Sequence, residues 1–176
     1  MAFQRYPMRA LIAAAALVLT AAPALAQEAA SKPACPAEPV LTGPFMHWMH
    51  AASVTATADA QGAPTLTVGK PVKVTLLDST RVTYKRARAT PPATPTYSGV
   101  LSLKIAAAGT YGIAAGDGVW IDVVSNGQAL KSVKHGHGPD CSGIRKIVEF
   151  DLQPGDYEIR LLDNKAATLT VMALKR

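Results

Sequence analysis

Ile147-Val148-Glu149-Phe150-Asp151-Leu152, then Gln153-Pro154-Gly155-Asp156, then Tyr157-Glu158-Ile159-Arg160-Leu161, reads as a strand, a glycine turn and a second strand. Apolar and polar side chains alternate on both sides of the turn, the period-two pattern of strands with one face on a core. The same order occurs earlier. Leu103-Lys104-Ile105 runs to Gly109-Thr110-Tyr111-Gly112-Ile113, again a strand, a glycine turn and a strand opening with tyrosine. Glycine permits such a turn, and the tyrosine ring can fill the end of a core while its hydroxyl bonds nearby backbone, as in a tyrosine corner.

Working outward, Val72–Leu76, Leu101–Ile105, Val119–Val123 and Leu169–Leu174 carry comparable short runs rich in β-branched residues. No stretch after residue 26 keeps a helical period for three turns. Many short strands separated by Gly, Pro, Asn and Asp predict an all-β fold, an antiparallel β-sandwich of jelly-roll or immunoglobulin-like character. Tyr84-Lys85-Arg86-Ala87-Arg88 and the prolines at 91, 92 and 95 interrupt this order, and are expected to form an exposed basic loop up to Tyr97.

The first residues follow the order of a secretory signal. Arg5 and Arg9 precede a small-apolar run from Ala10 to Ala22, and Ala24-Leu25-Ala26 supplies a cleavage pattern. The expected organisation is a signal peptide at 1–26, an N-terminal arm at 27–52 and a β-sandwich domain at 53–176. Export to the periplasm follows, and no membrane span is expected after cleavage. The formal charge of +6 falls by two when Arg5 and Arg9 are removed. That balance is too diffuse to argue for nucleic acid, and no nucleic-acid-binding motif accompanies it.

Cys35 and Cys141 are the two cysteines of the chain, and in an oxidising compartment a disulfide between them is the expectation. Closing so long a loop stabilises a fold by ~4 kcal/mol in the chain-entropy model.

All four histidines fall in two segments, Met46-His47-Trp48-Met49-His50 and His135-Gly136-His137-Gly138-Pro139-Asp140-Cys141-Ser142-Gly143. His-x-His can place two imidazoles on one metal, so His135 and His137 with the Asp140 carboxylate form a candidate site for Zn, Cu or Fe. His47 and His50 are secondary candidates, because Phe45, Met46, Trp48 and Met49 around them look like an apolar plug for one end of the domain. The opposing reading makes the second segment a Gly-rich loop shaped by turns, its histidines bonded to backbone or water. Arg145 and Lys146, just after it, are candidate contacts for an anion or a partner. Ser142, His137 and Asp140 are triad residue types, but crowding into one loop is not triad geometry. No phosphate loop, dinucleotide fingerprint or nucleophile elbow is present.

Residues 132–146 and the flanking Gly118–Val124 and Leu152–Tyr157 resemble a group of small exported alphaproteobacterial proteins, over roughly Val72 to the C-terminus. Members often carry the label homogentisate 1,2-dioxygenase. That label implies a cupin-like fold holding iron with two histidines and a glutamate. His135-x-His137 resembles half of such a motif and Pro154-Gly155-Asp156 its later turn, while the first downstream glutamate is Glu149, across Cys141 and a strand.

The expected function is a non-catalytic periplasmic binding or envelope-accessory module with His135 to Lys146 as its site. Its ligand would be a transition metal, an anion or an envelope partner. The alternatives are a cupin-like metal-dependent dioxygenase using His135, His137 and Glu149, and a structural envelope protein without a ligand.

Overall fold

Both runs around Gln153–Asp156 are strands, and the turn between them carries the chain from one sheet to another. The computed structural model describes Met1 and residues 34–86 and 94–176. The expected signal peptide beyond Met1, the first residues of the expected arm and residues 87–93 of the basic loop lie outside the described residues.

Twelve strands follow in chain order among the described residues: β1 (Ala52–Thr55), β2 (Thr65–Leu66), β3 (Val72–Thr75), β4 (Leu77–Asp78), β5 (Tyr97–Ile105), β6 (Gly109–Ala115), β7 (Trp120–Ser125), β8 (Gln128–Ala129), β9 (Lys134–Gly136), β10 (Lys146–Leu152), β11 (Gly155–Asn164) and β12 (Thr168–Lys175). One sheet has the order β1-β3-β12-β6-β10-β9 and the other β2-β5-β11-β7-β8, with β4 also on β5. The expected all-β sandwich is therefore the fold. Its central pairings are antiparallel, and β1–β3 and β2–β5 add parallel pairs at the margins. Every run read as a strand from its alternation is one. The short β1, β2, β4, β8 and β9 carry too few residues for a period to register.

Between the sheets lies the main core, including Ile113, Val171 and Val148 of the first sheet and Leu101, Val123 and Ile159 of the second. Because side chains alternate along a strand, the next residues point the other way. Ala114, Ile147, Met172 and Leu174 thus form an apolar outer face on the first sheet, and Phe45, Trp48 and Ile144 cover it. Phe45 and Trp48 reach it from successive i→i+3 turns, Trp48 N–H donating to the Phe45 carbonyl at 2.9 Å. Residues three apart eclipse in such turns, so only every third side chain faces the sheet. The apolar plug expected for one end of the domain is instead a cover on this outer face. It leaves out Met46 and Met49, which stay 57% and 56% exposed.

The sequence echo is a pair of related corners. Tyr111 Oη donates to the Ala107 carbonyl and Tyr157 Oη to the Gln153 carbonyl, both at 2.8 Å and both four residues upstream. β5 crosses to β6 and β10 crosses to β11, each changing sheet. In the two sheets β5 pairs with β11 and β6 with β10. Tyr111 faces Phe150 in one ladder and Tyr157 faces Leu103 in the other. The two arches are therefore paired strand to strand in both sheets, and together they supply four of the strands that line the core.

The expected disulfide joins Cys35 to Cys141 with Cα atoms 5.3 Å apart. It ties the segment before the Phe45–Trp48 cover to the loop between β9 and β10. No helix among the described residues is long and apolar enough to cross a membrane.

Candidate functional site

The His-Gly-His segment is not wholly a loop. Lys134–Gly136 forms β9 at the edge of the first sheet, with His135 opposite Val148 of β10 and Lys134 opposite Glu149. Directly opposed residues of a ladder share a face. His135 therefore lies on the Val148 side, toward the other sheet, while Glu149 lies on the outer side. There Glu149 is buried and pairs with Arg176 Nε at 2.9 Å. Ligands on opposite faces of one sheet cannot converge, so His135, His137 and Glu149 do not fit the iron set of a cupin-like dioxygenase.

His137 is engaged differently again. Its Nδ1–H donates to the Arg145 carbonyl at 2.7 Å, which turns the ring onto its own loop. Ser142 Oγ donates to the Pro139 carbonyl at 2.6 Å and accepts from Ile144 N–H at 3.0 Å. These bonds, with Gly138 N–H to the Ile144 carbonyl, shape the turn around Cys141. Gly138 must be glycine for steric reasons, because an added Cβ would lie 2.3 Å from the Ile144 Cβ. The serine and histidine are thus spent on loop architecture and do not form a nucleophile–base pair. Asp140 is exposed in the same loop. Among the described residues no three or more His, Cys, Asp or Glu are grouped to hold a metal ion. His47 and His50 are exposed on the turn beside Trp48, at the far side of the first sheet from the main core.

What the tertiary structure does assemble is a cleft of about 500 Å3 at one open side of the sandwich. Trp120, Ile121 and Asp122 of β7 line one wall. His135 and the β10 residues Lys146, Val148 and Phe150 line the other, and Leu130, Lys131 and Ser132 bridge the two. The opening has a local cause. The edge strands here, β8 and β9, have only two and three residues, so neither sheet extends far enough to close over the core. The connecting chain is anchored at both ends, Leu130 N–H to the Val123 carbonyl and Val133 N–H to the Glu149 carbonyl, each at 2.8 Å.

Two characters meet in this cleft. Its floor is core, with Ile121, Val148 and Phe150 all nearly buried. Its rim carries Lys131, His135 and Lys146. Lys146 is half-buried, donates to the Val119 carbonyl at 3.1 Å and holds its ammonium 5.7 Å from the centre of the Trp120 ring. Burial first, and then the nearby Arg86 guanidinium, hold Lys146 below its ordinary 10.5. Arg86 itself lies 4.8 Å from the same ring, and its Nε is 3.4 Å from Asp163. Trp120 is 42% exposed, and its Nε1–H donates to Asp122 at 2.8 Å.

The adjacent basic residues Arg145 and Lys146 differ in setting, Arg145 ending the loop and Lys146 opening β10. Lys146 enters the cleft, whereas Arg145 is exposed and contributes its backbone to His137 and to the Ala115 carbonyl. The basic loop, expected to be solvated throughout, begins with two docked side chains. Tyr84 sits under Arg160 at 3.4 Å, and Arg86 sits over Trp120. Sequence reasoning missed Trp120 and Arg86 as site residues. Val119-Trp120-Ile121 signalled only a strand, and nothing in residues 84–86 points to a partner far along the chain. No protein-family model and no curated protein matches this chain.

Proposed function

We propose that this protein is a non-catalytic binding module of the periplasm, which holds an anionic ligand in the cleft between β7 and β10. The observation that carries this reading is Lys146. A half-buried ammonium beside an aromatic ring, with Lys131 and His135 on the same rim, favours a negative charge that restores some of its lost solvation. The arrangement of His137, Ser142 and Glu149, each engaged elsewhere, gives no comparable support to a catalytic reading. The Cys35–Cys141 bridge is compatible with an oxidising compartment, and the pattern of residues 1–26 is that of an export signal.

Calorimetric titration of the chain from residue 27 with carboxylates and phosphates, with and without an apolar body, tests the reading. Saturable binding that weakens about tenfold or more in Lys146→Gln is expected, the scale of one charge-assisted hydrogen bond. Absence of saturable binding by every anion would overturn it. Stoichiometric Zn, Cu or Fe on the purified chain would then favour a metal-binding module, and its absence a structural envelope component.

A further inference from the structure

The cleft's two surfaces also restrict what kind of anion can fill it. A small hydrated ion would meet the Lys131, His135 and Lys146 rim but leave Trp120, Leu130 and the small exposed parts of Ile121, Val148 and Phe150 against water. The last three belong to the main core, so the floor of the cleft is continuous with the apolar interior of the sandwich. Burying apolar ligand atoms against such a floor is favourable in proportion to the area removed from water. The volume of about 500 Å3 lies within the range of small-molecule pockets rather than of single-ion sites. The polar groups that would fix orientation are all near the mouth. Ser132 stands beside Lys131, and Asp122, the one acid of the lining, already accepts from Trp120.

Resting on the reading of the cleft as an anion site, we infer that its occupant is an amphiphilic anion, one carboxylate or phosphate head on a compact apolar body. The head meets Lys146 and the neighbouring rim cations. The body lies between Trp120 and Leu130 and reaches the floor at Val148 and Phe150. Trp120 borders the body, with Arg86 and Lys146 already over its ring and its indole N–H held by Asp122. Leu130 is half-buried on the bridging segment and is the rim residue whose loss would expose an apolar body.

The test compares acetate, octanoate, octyl phosphate, octanol and octylammonium on the chain from residue 27, by calorimetry and tryptophan emission. Octanoate or octyl phosphate should bind about tenfold or more tightly than acetate, as a few buried methylenes require. Whichever binds more tightly names the head group. Octanol and octylammonium should bind much more weakly. Trp120 should report the event, because Trp48 lies in the other apolar cluster, and Trp120→Phe should abolish the emission change. Leu130→Ser should weaken octanoate by a larger factor than it weakens acetate, and its thermal melt checks that it folds. Acetate binding as tightly as octanoate would overturn the amphiphile while leaving the anion site intact. Failure of octanoate and octyl phosphate to bind while acetate does would likewise overturn the amphiphile alone. Octanol or octylammonium matching octanoate, or no binding by any of the anions, would overturn the anion reading itself.

Discussion

Tyr111 and Tyr157 stand at equivalent corners but are not held equally. Tyr111 Oη donates one hydrogen bond, whereas Tyr157 Oη donates to Gln153 and also accepts from Gln153 N–H at 3.1 Å. Tyr111→Phe should cost about 1 kcal/mol. Tyr157→Phe should cost more, since it also strands a backbone N–H. Urea unfolding of the two variants gives the comparison, and equal losses would show that the second bond contributes nothing. Glycine separates along the same lines in the histidine segment. Gly138→Ala puts a methyl against Ile144 and should destabilise by about 1–3 kcal/mol. An added Cβ at Gly136 meets nothing within 4 Å, so Gly136→Ala should stay within about 0.5 kcal/mol. Both tyrosines could be picked out by their spacing from a glycine. The demand on Gly138 could not, because Ile144 reaches it only when the loop folds back.

At the scale of elements, the segment from Gly43 to His50 acts as a covering piece and not as a free arm. Its i→i+3 turns sort neighbours by threes, turning Phe45 and Trp48 to the sheet and Met46 and Met49 to solvent. Trp48→Ala should therefore cost about 3–5 kcal/mol, by leaving Met172 and Leu174 under a cavity. Met49→Ala, on the same turn, should be close to neutral. Thermal melts of the pair distinguish this arrangement from a uniform apolar plug, which would make both costly. The hydrophobic residues of this segment were visible in the sequence. Which of them would be buried was not, because a five-residue run has no period long enough to tell a 3₁₀ turn from an irregular one. β9 was hidden for a related reason: three residues ending in a glycine carry no strand signal, and β10 alone pairs it into the sheet.

For the whole molecule, the Cys35–Cys141 bridge fastens the start of the cover to the loop beside the cleft across a separation of 106 residues. Replacing both cysteines by serine should lower stability by about 4–5 kcal/mol, the loop-closure scale for so long a loop. Denaturant unfolding of the serine pair measures that loss, and an unchanged midpoint would mean that packing alone holds the cover. By itself the sequence determined the fold class, the strands of six residues or more, the paired corners and the disulfide. These follow from local period, glycine placement and cysteine count, which need no knowledge of distant neighbours. Only the tertiary structure decided the site. It separated His135 from Glu149 by the ladder register and turned His137 onto its own loop. It also brought Trp120, Arg86 and Lys146 together from three remote segments. Such a cleft arises where two short edge strands fail to close a sandwich, and which sheets those edges terminate is set by pairing across the chain rather than by any run within it.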